Sequence, residues 1–542
     1  MRVPMLARTL TAVALATTGC TDAANPIPAS TWCHASQAAP YAKQSTFPGL
    51  HGGAQNWNRV PCTGPSAVTR SWTALEGLIV FQPVTISADG RELYATVARS
   101  GAADCKIYAV ATSDGTARCL GASAFTLGVS GSSVEVDAAG FLYVTDGYDD
   151  GHEAVVVKLD PEDGREIWRT VLPNLGTAEG SEPAPYRTPA GLHFTRDGYV
   201  VTVTVDGVVV LLARDTGAIV ASLPLQTATG LRPTPASDDH ARLPPYLEAN
   251  IGKAVGALSQ SDLDYIFAAS LGESGSFADN TVGVASTGQL FLTAPGRAAD
   301  EGALLAVDVT SGHPPTLSFI WAMYFPLGSA TSPVVSPDGR RVVVGDNDAN
   351  VHYVYVDDCN ANADADSDPR ICAPKWSYAL AARPLLGAPA MDENGVVYAW
   401  NTTSDAGVPD LLAIADRDGE PEVLWDRNFT PEGGTNRVWS SAVTVLDNHV
   451  IGTVTNMVRA TQLSDDMPPI VLEASHAAVA VDRTTGAVAW QIDVPDDAIN
   501  SLLMGPDGSI YVPELGMLDL SSPNEAQTFT GGIVRLAPVV TE

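Results

Sequence analysis

A unit of roughly fifty residues recurs eight times along this 542-residue chain, and that repetition limits the folds open to it. Each copy runs as an alternating strand, a turn of the Asp-Gly kind, a second strand carrying Tyr or Val, and a variable hairpin. A third strand ending in Asp, a Thr-Gly or Asp-Gly turn and a strand bearing Trp complete it. The first copy begins Thr85-Ile86-Ser87-Ala88-Asp89-Gly90-Arg91-Glu92-Leu93-Tyr94 and ends with Lys106-Ile107-Tyr108-Ala109-Val110 and Ser113-Asp114-Gly115. First-turn residues fall at Gly90, Gly140, Gly198, Gly288, Gly339, Gly395, Asn448 and Gly508, in steps of 50, 58, 90, 51, 56, 53 and 60. One step stands apart. Second-turn glycines are Gly115, Gly164, Gly217, Gly312, Gly419 and Gly486, and four of them trail the first turn by 24 or 25 residues.

Such turns call for residues that tolerate positive φ, which is why Gly, Asn and Asp occupy them. Between turns the apolar period is two, in runs such as Ala154-Val155-Val156-Val157-Lys158-Leu159-Asp160, Leu304-Leu305-Ala306-Val307-Asp308 and Ala478-Val479-Ala480-Val481-Asp482. Runs this continuous predict strands covered on both faces. A four-stranded sheet that cannot cover itself stacks on its neighbours, and radial stacking makes a propeller. The expectation is therefore all-β: a single eight-bladed β-propeller of four-stranded antiparallel blades over residues 46–542. The last copy ends after three strands, at Gly531-Gly532-Ile533-Val534-Arg535-Leu536, and lacks its tryptophan. Arg70-Ser71-Trp72-Thr73, just ahead of the first copy, carries one. Closure by N-terminal strand exchange is expected, which removes an open sheet edge.

The segments Leu159-Asp160-Pro161-Glu162-Asp163-Gly164-Arg165-Glu166-Ile167-Trp168 and Val481-Asp482-Arg483-Thr484-Thr485-Gly486-Ala487-Val488-Ala489-Trp490 carry a resemblance to a known family. Over residues 70–540 the chain resembles the quinoprotein-dehydrogenase-like (PQQ-like) β-propellers. Trp376 and Trp425 follow their turns similarly and are expected to pack blade against blade. The family holds quinone-dependent dehydrogenases, which the resemblance associates with adjacent cysteines and acidic calcium ligands; this chain has no Cys-Cys dipeptide. It also holds outer-membrane scaffold lipoproteins, including the propeller subunit of the β-barrel assembly machinery.

The N-terminus is expected to direct export. Arg2 and Arg8 are the charges of residues 1–19, a short apolar stretch covers residues 10–15, and small residues precede Cys20. Gly19-Cys20 resembles a bacterial lipobox, with Thr17 where Leu or Val is usual, so Cys20 is the expected lipidation site and membrane anchor, after a signal peptide over 1–19. Residues 20–45 then form a tether. Thr21 in place of the aspartate that retains some lipoproteins at the inner membrane favours the outer membrane. Setting Cys20 aside leaves six cysteines in three neighbouring couples: Cys33 with Cys62, Cys105 with Cys119, and Cys359 with Cys372. Each bridge would close a modest loop worth about 3 kcal/mol in the chain-entropy model and implies an oxidising compartment.

Departures from the repeat are the candidate functional elements. The long step holds an insertion over residues 231–280, whose stretch 251–271 is the best helix candidate despite Gly252 and Gly256. Its Asp238, Asp239 and His240 are expected to form a solvated acidic loop, with metal ligation as the alternative. Asp364, Asp366 and Asp368, in an acidic stretch bounded by Cys359 and Cys372, alternate oxygen donors as calcium requires, although the EF-hand glycine position holds Pro369 and the closing Glu position Lys375. The alternative is an exposed acidic hairpin tip. A weaker oxygen-rich hairpin covers residues 146–153. Arg187, Arg383, Asn436, Arg437, Trp439 and Asn500 stand near the starts of innermost strands, where convergent arginines at a channel mouth would recognise a carboxylate or phosphate; pairing with neighbouring acids is the structural alternative.

With 62 acidic and 30 basic residues the net charge is −32, which excludes nucleic acid as a partner, and 45% hydrophobic content excludes disorder. No G-x-S-x-G, H-E-x-x-H or P-loop occurs. The expected function is an exported, lipid-anchored propeller that binds or scaffolds a protein partner at the bacterial cell envelope, without a cofactor beyond possible calcium. The alternative is a periplasmic oxidoreductase using PQQ and calcium.

Overall fold

The computed structural model describes residues 32–34, 39–43, 45–80, 82–97, 105–121, 133–146, 153–173, 191–232, 277–278, 280–298, 300–329, 331–362, 370–380, 388–401, 408–430, 436–461, 470–498, 500–514 and 531–539. They form eight antiparallel sheets, each the blade of a propeller. Blade 1 is Thr85–Ile86, Glu92–Thr96, Ile107–Ala111 and Ala117–Gly121, each strand bonded to the next in chain order. Blades 2 to 6 repeat that order. Blade 8 takes Leu503–Met504, Ile510–Glu514 and Gly532–Pro538 from the C-terminus and Val68–Ala74 from the N-terminus. Trp72 pairs with Arg535 across that seam. The ring is closed as the missing tryptophan predicted.

Stacking follows from strands that are apolar on both faces. Val155–Leu159 and Val208–Leu212 are buried throughout. Val156, Val209 and Leu305 of blades 2, 3 and 4 belong to one continuous core, each burial contributing roughly 1.5–3 kcal/mol. The outer-strand tryptophans fasten one blade to the next. Trp168 Nε1 donates to Arg214 O (3.1 Å), Trp425 Nε1 to Arg483 O (2.8 Å), and Trp72 Nε1 to Thr112 O (3.3 Å) across the seam. Their rings lie over glycines of the neighbouring turn: a Cβ on Gly486, at φ +69°, would stand 2.6 Å from the Trp425 ring. Glycine at the second turn thus serves the backbone and also the approach of the next blade.

Blade 7 departs from four strands. Both Asn436–Trp439 and Thr444–Val445 pair with His449–Thr461, so the sheet has five. The chain steps inward between them, and Gly452 leaves the space that the Trp439 indole fills. Two turns also differ from expectation. Gly90, Gly140, Gly198, Gly288, Gly339, Gly395 and Gly508 have positive φ, whereas Asn448 does not. Asn448 instead clamps Gly64, accepting its N–H at 2.6 Å and donating to its carbonyl at 3.0 Å. Gly312 also lacks the left-handed conformation, its turn containing a cis His313–Pro314 bond.

All three expected disulfides are present. The acidic stretch lies within blade 5, between its paired third and fourth strands Asn350–Tyr355 and Trp376–Ala379, and starts as a short helix, Val356–Asn362. Its Asn360 Oδ1 accepts from Trp321 Nε1 of blade 4 (2.9 Å), and Cys372 N donates to Ala322 O (2.8 Å), so this excursion is pressed against blade 4. Residues 364, 366 and 368 lie outside the described residues, as do 238–240, 251–271 and 147–152. The insertion is anchored by buried Leu231 and by Phe277, whose N–H reaches Val205 O, and it is preceded by a short helix, Leu225–Thr229.

Candidate functional site at the propeller axis

The tether expected over residues 20–45 is already inside the ring at Tyr41, and the chain up to Cys62 occupies the axis. Phe47, Leu50, His51, Asn56, Asn58, Val60 and Cys62 are all buried. The segment winds past the innermost strands in ring order, offering main-chain carbonyls. Phe47 O accepts from Ile86 N (3.0 Å), Pro48 O from Val136 N (2.8 Å) and Ala54 O from Val284 N (2.7 Å). Gln55 O accepts from Val335 N (2.8 Å), Trp57 O from Met391 N (3.0 Å) and Asn58 O from Val445 N (2.8 Å). Innermost strands two residues long leave N–H groups pointing at the axis, and an unpaired buried N–H costs about 1–3 kcal/mol. The plug meets that demand in blades 1, 2, 4, 5, 6 and 7.

Side chains serve the remaining two blades. His193 of blade 3 places Nε2 2.7 Å from Asn56 Oδ1, and Ser501 beside blade 8 donates to Asn58 Oδ1 at 2.7 Å. Asn56 Nδ2 donates to Thr281 O and Pro333 O, which orients its carboxamide with oxygen toward His193. Glu135 of blade 2 is fully buried and accepts from Tyr41 Oη (2.9 Å) and Leu50 N (2.8 Å), with His193 Nδ1 3.3 Å away. Burial pushes the Glu135 carboxyl up, opposed by His193. Burial, then the Glu135 charge, raises the Tyr41 phenol well above its ordinary value. His51 sits between Asn58 (3.0 Å) and Ser332 (3.2 Å), and burial lowers its pKa to about 4, against the pull of Asn58. His51 is therefore neutral at physiological pH. The plug leaves through Arg59, paired with Asp447 (2.8 Å) and Glu393 (3.0 Å), and ends at Cys62, bonded to Cys33.

Of the residues expected at a channel mouth, the side chains of Arg437, Trp439 and Asn500 are described. Arg187 and Arg383 lie outside the described residues, as does the side chain of Asn436. Arg437 is half-buried in blade 7, its backbone N–H donating to Thr430 Oγ1 and its guanidinium pKa lowered by burial. Trp439 is completely buried, with Nε1 donating to Ser441 O (2.8 Å) and its ring 5.6 Å from that of Phe429, so it packs blade 7 and presents no face to a ligand. Asn500 is half-buried next to the Ser501 that holds the plug. Among the described residues Arg59 reaches the axis, and no repeat position marks it. A second buried polar set lies between blades 7 and 8, where burial first and the Asp496 charge second push Asp497 and Glu514 up to about 8.

Eight antiparallel blades, with outer-strand tryptophans lying over the next turn at Gly115, Gly217 and Gly486, make the fold a PQQ-like β-propeller. Comparison with known proteins agrees. A family model described as outer membrane protein assembly factor BamB matches residues 71–235. Quinohemoprotein alcohol dehydrogenase from Comamonas testosteroni superposes with a TM-score of 0.53 at 11% identity, over 93% of this chain and 83% of that one. BamB from Moraxella catarrhalis aligns over 87% of this chain and 99% of its own, at 11% identity and a TM-score of 0.34. No curated protein matches by sequence. The similarity to BamB is distant, and the likeness to the dehydrogenase is one of fold.

Proposed function

We propose that the protein is an exported, lipid-anchored propeller that binds a protein partner at the bacterial cell envelope, with Cys20 as the anchor. The observation that carries this reading is the occupied axis: the chain's own residues 45–62 fill the centre of the ring, so recognition falls to the outer faces and rim. The family-model match over residues 71–235 supports it. So do the exposed apolar side chains of the outer strands, Ile167 and Val171 in blade 2, Ile219 in blade 3, Leu424 in blade 6 and Val488 in blade 7, which stand beside unpaired strand edges.

The test is in-cell cross-linking of the tagged full-length protein, followed by membrane fractionation and capture, beside a Cys20→Ser variant. A stoichiometric envelope partner captured with the wild type, and release of the variant from the membrane fraction, are the expected results. Recovery of the protein alone, or tight one-to-one binding of PQQ in the presence of calcium, overturns the scaffold reading and favours the oxidoreductase.

A further inference from the structure

The junction of blades 7 and 8 gathers ionisable side chains from separate stretches of chain. His476 comes from strand Ile470–Asp482, Asp496 and Asp497 from the connection after Val488–Val494, and Glu514 from the end of Ile510–Glu514. One ligand atom each from His476, Asp496 and Asp497 lies within a span of 4.8 Å. Glu514 is fully buried, and its Oε1 accepts the Asp496 N–H at 3.2 Å, which brings the carboxylate against the same group. Its other oxygen, Oε2, is shielded from solvent and has no hydrogen-bond partner among the described residues; Asp497 Oδ1 is in the same position.

Thr455 determines how the imidazole is presented. Its hydroxyl donates to Asp497 Oδ2 at 3.0 Å and so has its lone pairs for His476 Nδ1, 3.1 Å away. Nδ1 then carries the proton, and the lone pair of Nε2 faces Asp496 Oδ1 at 3.8 Å, too far for a hydrogen bond. A nitrogen lone pair and carboxyl oxygens thus converge on one small volume. A histidine oriented through its second nitrogen is how proteins present imidazole to a metal.

We propose that this junction binds one divalent metal ion of the zinc or manganese class, held by His476 Nε2 and carboxylate oxygens of Asp496 and Asp497, with the buried Glu514 carboxyl holding the Asp496 backbone beside it. Calcium is disfavoured, since it takes six to eight oxygen donors, whereas a mixed imidazole and carboxylate set suits first-row transition metals. The ion would tie blade 7 to blade 8, next to the sheet that closes the ring. This inference is independent of the partner-binding proposal and can fail without it.

The experiment is titration of chelator-treated full-length protein with Zn2+ and with Mn2+, by calorimetry and by thermal melting. One equivalent bound, with a rise in melting temperature, is expected for at least one ion. His476→Gln and Asp497→Asn should each weaken binding at least tenfold, and Thr455→Val should weaken it by misorienting the imidazole. The metal-free melting temperatures of Asp497→Asn and Glu514→Gln should equal or exceed that of the parent, because each removes a buried acid crowded by another, so lost binding is not misfolding. Simultaneous replacement of Asp364, Asp366 and Asp368 by Asn should leave the affinity unchanged. Failure of both ions to bind stoichiometrically overturns the site, as does affinity that survives His476→Gln and Asp497→Asn or disappears with the Asp364 group.

Discussion

At the scale of single residues the axis is governed by groups kept neutral through burial. His51 has a native pKa near 4 against an ordinary value of 6.5. As pH falls from 6.5 to 4, the unfolded chain takes up a proton that the native state refuses, so this residue's share of stability is present above 6.5 and is lost as the solution becomes acidic. The loss amounts to about 1.4 kcal/mol per pH unit at most, roughly 3 kcal/mol across the window. His51 also has φ +56°, which asparagine tolerates. His51→Asn should therefore fold, melt lower than the parent at pH 7 because Ser332 loses its partner, and show a shallower decline between pH 6.5 and 4. Denaturant titrations of both proteins across that range check this, and parallel pH curves would mean that His51 titrates freely.

At the scale of elements the plug behaves as part of the sheets. It bonds through main-chain carbonyls to the innermost strands of blades 1, 2, 4, 5, 6 and 7, so its hold does not depend on the disulfide at its end. Amide exchange at Ile86, Val136, Val284, Val335, Met391 and Val445 should proceed only through global unfolding, and that protection should persist when Cys33 and Cys62 are both replaced by serine. Gly49→Val should abolish it, since an added Cβ collides with the Glu135 carboxylate. Rapid exchange at these amides in the disulfide-free variant would show that the bridge holds the plug. The difference in legibility has the same origin. The blades were readable because each turn demands glycine or an acid at a set offset, and the seam because Trp72 supplies what the last copy lacks. Accepting hydrogen bonds through main-chain carbonyls makes no demand on side chains, so residues 45–62 carry no repeat. The weak signals were Glu135, a charge inside the apolar Val134-Glu135-Val136, and His193 within Leu192-His193-Phe194. The expected Trp439 site failed because position ahead of an innermost strand does not determine which way a ring turns, and Gly452 drew it inward.

At the scale of the whole molecule, a ring closed on itself and filled at its centre carries 62 acidic side chains against 30 basic ones. Most of the ion pairs among the described residues are exposed, such as Arg165 with Asp160, Arg297 with Glu301 and Arg417 with Glu422, and pairs of that kind contribute about 0–1 kcal/mol each. Added salt weakens them slightly and at the same time screens the repulsion among the excess carboxylates, which works against the compact state. Because acids outnumber partners two to one, the second effect outweighs the first. Raising NaCl from about 10 mM to about 0.2 M shortens the screening length from roughly 30 Å to under 10 Å, below the dimensions of the ring. The melting temperature should rise by a few degrees across that range in the presence of a chelator, which keeps the blade 7 and 8 junction free of metal. A flat or falling curve would mean that the exposed pairs, and not the net charge, dominate the electrostatics of the folded ring.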